Sequence, residues 1–457
     1  MSGRSETGGR LLGLRQGSTR LVRGVLGGRG TSFAFAQTLL TQFLVLGLNV
    51  GTGIITARLL GPEGRGAFGA ITLWPTFLST MIIGGLPLAQ VYYMRNAKPE
   101  EQAEVLGASI LLAFVLGLVG AVAAVVAIPM AMSGHYPAEV VALAPYAAVV
   151  TVMSLFAVLL KNSFTALDRF GSFNAMSWLD PALYLVFLVA AALAIGLTPA
   201  VSAFAMWSST AVCLCVIAFK LWRILPPRFS HPGRWLPGLM SYTVRAVGIG
   251  TLGSLTFYLD RLFLVAVISP EEFGLYLVAF SLSRLLMVLQ TAASAVMLPA
   301  MAGKSPEEAS ALHDRTFRLM LVAVILAGIV VWVLGGPALS LLYGKEFGAA
   351  HALFLVLVVE EAFSALAQVT SQLYLAMGRP GYVSIAQVAA FVTLGLGLFL
   401  LVPVMGAMGA AVAATMSSLV RMIMMLAGMP RVLDLPRPRL SVLPAELLGY
   451  ARKFARS

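Results

Sequence analysis

Apolar segments long enough to cross a bilayer follow one another along almost the whole chain. The 457 residues are 59% hydrophobic and only 11% charged, whereas soluble domains carry roughly 25% charged residues. A spanning segment needs about 20 apolar residues, and it must be helical because lipid offers no hydrogen bonds to an open backbone. The sequence therefore predicts an all-α integral membrane protein.

Breaks rich in glycine, proline and charge divide this apolar sequence into about twelve predicted spans. They cover residues 33–58, 66–93, 104–132, 138–160, 171–196, 199–223, 238–268, 273–302, 313–335, 348–377, 381–404 and 407–429. With the first residue in the cytoplasm, the loops on the opposite side hold only three basic residues, Arg58, Arg65 and Lys345. Cytoplasmic loops are enriched in lysine and arginine, so this alternation predicts that both termini are cytoplasmic.

Two short motifs recur, once in each half of the chain. The sequence GPEGRGAF at residues 61–68 is matched by SPEEFGLY at residues 269–276, and ALDRFG at residues 166–171 by AMGRPG at residues 376–381. An even number of spans in each half preserves orientation, so the halves are predicted to be parallel repeats. A cleft between two such halves is a natural place for a transported substrate, although channels, receptors and membrane enzymes also contain repeats.

This pattern divides the chain into two predicted six-helix lobes with basic extensions. The predicted parts are a basic cytoplasmic tail at 1–32, an N-lobe at 33–224, a cytoplasmic linker at 225–237, a C-lobe at 238–429 and a basic cytoplasmic tail at 430–457. The linker contains two proline-rich breaks, which are typical of loops. Anionic lipids attract basic segments to the inner surface, so such lipids are expected partners of the tails.

Ionisable side chains inside spans are rare because they are costly in lipid, and they usually face a polar cavity or one another. Seven occur in the predicted spans, namely Asp180, Arg245, Asp260, Arg261, Arg284, Glu360 and Glu361. Arginine stays protonated, and its planar fork matches phosphate oxygens. Arg245, Arg261 and Arg284 are therefore the candidates for binding an anionic substrate, with snorkelling or ion pairing as the alternative.

The four in-span carboxylates, Asp180, Asp260, Glu360 and Glu361, are the candidates for ion coupling, since a buried carboxylate can exchange a proton. Each also has a structural interpretation. Asp260 is expected to pair with Arg284 across consecutive helices, and Asp180 precedes a proline that would kink its helix. Glu360 and Glu361 are adjacent in a helix, so only one of them is expected to face a cavity.

Motifs of other chemistries are missing from the sequence. It contains no phosphate-binding GxxxxGK[ST] loop and no HExxH, and its four histidines are scattered. Cys213 and Cys215 lie in an apolar run and are interpreted as small buried apolar residues rather than a disulfide or metal site. Nucleic-acid binding would need a basic face with interleaved aromatics, which is absent from the sequence. We therefore expect no cofactor, no metal, no nucleic-acid partner and no enzymatic activity.

An ordered set of motifs runs through the region from about residue 35 to residue 425. It comprises RLLGPE at 58–63, GLP at 85–87, Asp260-Arg261, GLY at 274–276, Pro299, LYG at 342–344, LAMGR at 375–379 and GAMGAA at 406–411. In order and spacing this set resembles the O-antigen-type polysaccharide flippases. These belong to the multidrug/oligosaccharidyl-lipid/polysaccharide (MOP) exporter superfamily.

The resemblance implies two helical lobes around a central cavity that opens alternately to each side. It implies a polyprenyl-diphosphate-linked oligosaccharide as substrate, moved from the inner to the outer leaflet of the cytoplasmic membrane during cell-surface polysaccharide biosynthesis. In similar flippases cationic cavity residues meet the diphosphate-sugar head group, and an ion gradient or membrane potential gives direction. Other polysaccharide-assembly proteins are implied as partners.

Four alternatives stay open. A cation-coupled multidrug exporter of the same superfamily would favour an anionic or aromatic cavity. A lipid II flippase typically has two additional helices and arginines in the first lobe. A membrane enzyme of polysaccharide assembly would transfer sugars, and a scaffold of a polysaccharide complex would tolerate the loss of every cavity charge.

Overall fold

The computed structural model describes residues 31–438 and, within them, all side chains except those of residues 31–36, 38–39, 247–251, 288–289, 292 and 295. The predicted tail at 1–32 and most of the tail at 430–457 lie outside the described residues. In the described range the chain is a bundle of α-helices joined by short turns and two short 3₁₀ segments.

The first half of the chain contains seven of these helices. They are α1 (Thr31–Ile83), α2 (Leu86–Asn96), α3 (Gln102–Met132), α4 (Ala138–Val141), α5 (Ala144–Ala166), α6 (Phe170–Ala194) and α7 (Pro199–Ile224). The second half contains α8 (Pro232–Val267), α9 (Pro270–Ser283), α10 (Met287–Met301), α11 (Pro306–Tyr343), α12 (His351–Ala376) and α13 (Pro380–Val432), with 3₁₀ turns at Arg284–Leu286 and Lys345–Ala350.

Glycine breaks the two longest helices, one in each half of the chain. Gly61 in α1 has φ 67° and ψ −179°, and Gly406 in α13 has φ 56° and ψ −136°. A side chain would strain the backbone at these angles, which is why glycine occupies both positions. Each of the two helices therefore consists of two segments that meet at a sharp change of direction.

Serine or threonine followed by proline starts three of the helices. Thr198, Ser269 and Ser305 each accept a hydrogen bond from the backbone N–H three residues later, at 3.2–3.3 Å. The proline that follows each cap has no N–H to leave unpaired at the helix start. The cap at Ser305 explains why α11 begins at Pro306, well before the predicted start at residue 313.

Eight helical stretches of the described chain are long and apolar enough to cross a membrane, judged by length and composition. Two of them, in α1 and α13, are the helices divided by glycine, so each supplies two passes. α8 is not among these eight stretches, and the break at Arg284 leaves α9 and α10 individually short. With these included, every one of the predicted spans is found as a helical segment.

Large apolar side chains cover the outside of the bundle. Leu193, Val404 and Met130 are 85%, 82% and 80% exposed, and many other valines and leucines are also exposed. A water-soluble protein does not expose so much apolar surface, whereas lipid solvates it. The all-α membrane fold predicted from the sequence is therefore confirmed.

The two halves of the chain meet along α1 and α9, where backbone approaches backbone. A Cβ placed on Gly66 would overlap the carbonyl of Pro270, and one on Gly274 would overlap the carbonyl of Pro62. At the opposite end of the bundle α8 packs against α2 and α3, and further along it packs against α13. α8 therefore contacts helices of both halves, and its first turns occupy part of the predicted linker at 225–237.

Candidate functional site

Six buried or partly buried ionisable side chains form a cluster inside the second half of the bundle. They are Asp260 and Arg261 on α8, Arg284 after α9, Glu360 and Glu361 on α12, and Arg421 on α13. Three are basic and three acidic, so the formal charges cancel when all are ionised. Balanced charge makes burial tolerable, because every charged group has an opposite charge nearby.

Arg284 lies at the centre of this charge cluster. Its Nη1 donates to Glu361 Oε2 at 2.8 Å, and its Nη2 lies 3.8 Å from Glu360 Oε2. We expected the adjacent glutamates to face different directions. Both contact Arg284 because the two terminal nitrogens of one guanidinium reach two carboxylates. Only Glu360 of the pair lines a cavity.

Neutral side chains complete the coordination of the two glutamates. Glu361 is fully buried and also accepts a hydrogen bond from Gln290 Nε2 at 3.1 Å. Glu360 accepts one from Ser418 Oγ at 2.8 Å. The break between α9 and α10 at Arg284 turns the guanidinium toward α12, so an irregular backbone positions the central cation.

Asp260 does not pair with Arg284, which corrects the ion pair expected from the sequence. It accepts a hydrogen bond from Tyr276 Oη at 2.5 Å, and its other oxygen lies 3.6 Å from Nε of its neighbour Arg261. Arg284 instead takes its acidic partners from α12. The expectation rested on sequence adjacency of the helices, whereas the nearest carboxylates come from a helix much later in the chain.

Arg261 is enclosed by aromatic rings rather than presented to a cavity. Its guanidinium carbon lies 4.5, 5.0 and 4.2 Å from the ring centres of Phe257, Tyr258 and Phe280, and Nη2 donates to the Phe257 carbonyl. Such contacts stabilise a buried cation. Its side chain is 9% exposed, against 20% for Arg284, and it does not line the cavity beside the cluster.

Arg421 also belongs to the cluster, although it is not among the seven in-span charges selected from the sequence. It donates to Gln387 Oε1 at 3.2 Å, to the Ser364 carbonyl at 3.2 Å and to Ser364 Oγ at 2.9 Å. The signal that could have found it was its position, two turns inside the predicted span at 407–429. The same criterion selected the other in-span charges.

A cavity of about 140 Å³ adjoins the cluster. Its polar lining consists of Thr256, Asp260, Arg284, Glu360, Ser364, Gln387, Ser417, Ser418 and Arg421. A space of this volume is on the scale of a phosphate-sized group rather than an oligosaccharide. Two guanidinium groups, hydroxyls and an amide thus converge on a small polar space within an apolar bundle.

The remaining two sequence candidates lie apart from the cluster. Arg245 is exposed on α8, about 22 Å before Asp260 at a rise of about 1.5 Å per residue. Asp180 lies in the first half, where it accepts hydrogen bonds from Ser209 at 2.7 Å and Thr210 at 3.4 Å. The structure therefore unites five of the seven in-span charges and adds Arg421.

No group of three or more potential metal ligands occurs in the part of the chain that the structure describes. Cys213 is buried, Cys215 is exposed, and both are free. The exposed position of Cys215 corrects the expectation that both thiols are buried.

Comparison with known proteins identifies relatives of this fold. The family model described as "Polysaccharide biosynthesis protein" matches residues 34–305, which is more than half of the chain. The comparison with curated proteins gives no match.

Among solved structures, the lipid II flippase MurJ in an inward closed conformation has a TM-score of 0.71 at 13% identity, over 86% of this chain and 87% of its own. An inward-facing multidrug resistance MATE family transporter of the MOP superfamily has a TM-score of 0.66 at 15% identity, over 91% and 97%. A MOP superfamily transporter from Pyrococcus furiosus has 0.59 at 15%, over 90% and 98%. At such low identity these matches establish the fold alone, and they confirm the predicted MOP flippase fold.

Proposed function

Because the chain belongs to the polysaccharide biosynthesis protein family, we propose that it is a flippase for a polyprenyl-diphosphate-linked oligosaccharide. The substrate moves from the inner to the outer leaflet of the cytoplasmic membrane by alternating access, and it serves cell-surface polysaccharide synthesis. Both termini are placed in the cytoplasm. The family and the fold are those of transporters rather than enzymes, which supports this class of function.

The observation that carries the proposal is the composition of the cavity beside Arg284. It combines two guanidinium groups, Arg284 and Arg421, with five hydroxyl or amide side chains. Guanidinium groups bind phosphate oxygens through paired hydrogen bonds, and hydroxyl and amide groups hydrogen-bond sugar hydroxyls. A diphosphate joined to a sugar presents both kinds of group next to each other.

Charge balance in the cluster suggests how substrate and coupling ion exchange. Arg284 is already paired with Glu360 and Glu361, so a diphosphate that binds it must displace at least one carboxylate. A displaced carboxylate in an apolar surrounding then favours a proton or a small cation. We place coupling at Glu360, Glu361 and Asp260, with Asp180 as the candidate in the first half.

Arg245 has a different role in this scheme. Its side chain is exposed and lies toward the predicted cytoplasmic end of α8. There it attracts the diphosphate before the head group reaches Arg284, and attraction of this kind acts mainly on the rate of association. Arg261, enclosed by aromatic rings, supports the cluster electrostatically.

The proposal is tested by transport in proteoliposomes. A fluorescent polyprenyl-diphosphate-oligosaccharide, lipid II and a cationic drug are offered in parallel to the wild-type protein and to Arg284→Gln. Arg223→Gln is the matched control, because Arg223 stacks on Phe219 at the end of α7, outside the cluster. We expect flipping of the oligosaccharide lipid, loss of at least about tenfold in Arg284→Gln, and wild-type rates in the control.

The other substrates decide between the remaining candidates. Three carboxylates in the cluster give specific support to a cation-coupled exporter, which would transport the drug and ignore the lipids. Selective movement of lipid II would make the protein a lipid II flippase. Either result, with no transport of oligosaccharide lipids, overturns the proposed substrate.

A further inference from the structure

Another arginine of the bundle, Arg65, forms no ion pair within the described residues. Arg65 lies on α1 one turn after the break at Gly61, and its Nε is buried without a hydrogen bond. Its guanidinium carbon lies 5.4 Å from the ring centre of Phe68. Among the described residues no carboxylate forms an ion pair with it. A partly buried charge without a counter-ion is unfavourable, so this one points to a ligand.

Two tyrosine hydroxyls lie near the same guanidinium. Tyr184 on α6 stacks on Phe68 with ring centres 6.5 Å apart, and it is only 9% exposed. Its hydroxyl is buried and has no hydrogen-bond partner within the described range. Tyr343, at the end of α11, is 2% exposed and, like Tyr184, lies within electrostatic range of Arg65, but its hydroxyl already has Ser281 as a hydrogen-bond partner. An unsatisfied N–H of Arg65 and the unsatisfied hydroxyl of Tyr184 therefore lie together in the first half, with Tyr343 beside them from the second half.

This donor cluster lies at the seam between the halves. Gly66, the residue after Arg65, packs against the backbone of Pro270 and Gly274. Arg58 crosses the same seam to donate to the carbonyls of Leu341 and Leu342. By the predicted topology this is the outer end of the bundle, the opposite end from Arg245.

We propose that Arg65 and Tyr184, with Tyr343 across the seam, form an anion-binding site that receives the diphosphate of the substrate at the outer end. This rests on the proposed function. The guanidinium of Arg65 and the free hydroxyl of Tyr184 supply donors in more than one direction, as a phosphate group requires, and Tyr343 closes the site from the other half. The exposed acids at this end include Glu63, Glu271 and Glu346, and none of them forms an ion pair with Arg65 among the described residues. Separation of the halves exposes the site, and the head group leaves from it.

The first test measures diphosphate binding to the purified full-length protein by isothermal titration calorimetry. The probes are inorganic diphosphate and a short-chain polyprenyl diphosphate, and the variants are Arg65→Gln, Arg65→Lys and Tyr184→Phe. Tyr136→Phe is a matched control, because its hydroxyl is also buried and unpartnered but shows no interaction with an arginine. Arg223→Gln controls for the loss of a positive charge.

We expect Arg65→Gln to weaken binding of the lipid form about tenfold or more, and Tyr184→Phe severalfold, with partial recovery in Arg65→Lys. Tyr136→Phe and Arg223→Gln should bind as the wild type does. Equal affinity of Arg65→Gln and Arg223→Gln would overturn the site. Tight binding of inorganic diphosphate without preference for the lipid form would identify a free anion as the ligand and overturn the assignment to the substrate.

A second measurement separates this inference from the proposed function. Flipping is measured in both directions, with the labelled lipid offered first from one leaflet and then from the other. Arg65→Gln should raise KM at least about fivefold for lipid offered at the Arg65 end and leave KM at the other end unchanged. A wild type that flips, with Arg65→Gln unchanged in both directions, refutes the site and keeps the function. A wild type that binds diphosphate through Arg65 but moves no lipid refutes the function and keeps the site.

Discussion

Arg284 and Glu361 illustrate how strongly one buried ion pair depends on both partners. Glu361 is fully buried and Arg284 is 20% exposed. Each has lost most of its hydration, so either residue left alone would be an uncompensated charge in an apolar bundle. Removal of one partner from such a pair is far more destabilising than replacement of both by apolar residues.

A double-mutant cycle tests this interdependence. Arg284→Met should lower the free energy of unfolding by about 3–5 kcal/mol, because Glu361 remains buried without its cation. Arg284→Met combined with Glu361→Met should be less destabilised than the sum of the single variants by at least about 1 kcal/mol. Reversible detergent-induced unfolding measures all four proteins. Additive effects would show that the two side chains are not coupled.

Arg261 depends on shape as well as charge. Three aromatic rings surround its planar guanidinium, and Nη2 donates to a backbone carbonyl. Lysine keeps the charge but has neither the flat surface nor the fork of donors. We expect Arg261→Lys to lower stability by about 1–2 kcal/mol, measured as a fall in melting temperature. The corresponding change at exposed Arg223 should have almost no effect, and equal falls in the two variants would contradict this account.

The sequence was sufficient to select most members of the charge cluster but not to pair them. In-span position alone selects Asp260, Arg284 and the two glutamates, since lipid excludes unpaired charge. Their pairing depends on how α12 packs beside the Arg284 turn, which involves residues far apart in sequence. The donors beside Arg65 were missed for the same reason, because Tyr184 and Tyr343 carry no charge and meet only in the folded chain.

Helices α1 and α9 approach each other closely at a pair of glycines, because a larger side chain would not fit there. Gly66 on α1 and Gly274 on α9 each face the backbone of the other helix, so a methyl group at either position would overlap a carbonyl. The two residues occupy equivalent places in the repeated motifs of the two halves. The motif is therefore explained by the contact between α1 and α9.

Alanine at these glycines tests the contact. Gly66→Ala and Gly274→Ala should each lower the melting temperature by several degrees, because overpacking of a tight contact typically costs about 1–3 kcal/mol. Gly53→Ala is the matched control, since a methyl group there meets nothing within 4 Å and alanine favours a helix. Equal stability of Gly66→Ala and Gly53→Ala would mean that the two helices can separate without loss.

Helix number and order were predictable, but interruptions within helices were only partly so. Length and apolar character indicate each span, and Gly61-Pro62 marks a break that any reading of the sequence would find. The turn at Arg284 contains no glycine or proline, so the sequence gives no signal of it. The packing of α8 against helices of both halves could not be predicted from the sequence either, because it depends on the direction of a long helix rather than on its composition.

The two halves share one architecture, but the charged residues inside the bundle are unequally distributed between them. All six members of the charge cluster lie in the second half, whereas Asp180 in the first half is satisfied by two hydroxyls. An exchange of ions and substrate in one half can move the other only through contacts that join them. At the predicted outer end these contacts include the glycine pair, the apolar side chains of α1 and α9, and the hydrogen bonds of Arg58.

Arg58 is the polar part of this connection, and its loss should shift the balance between closed and open states. It reaches from α1 to the carbonyls of Leu341 and Leu342 in the other half, and hydrogen bonds from a charged donor contribute about 1.5–3 kcal/mol. Because Arg58 is exposed, water recovers part of this, and we expect Arg58→Ala to increase the open fraction about threefold to tenfold.

Pulsed electron paramagnetic resonance between spin labels at exposed positions 63 and 271 measures that fraction as a longer distance component. Lys345→Ala, which removes a neighbouring positive charge without breaking the hydrogen bonds of Arg58, should leave the distances unchanged. Identical distance distributions in Arg58→Ala and Lys345→Ala would show that packing between the halves holds this end together without Arg58. A larger open fraction in Arg58→Ala would show that a single side chain couples the chemically active half to the half that lacks the charge cluster.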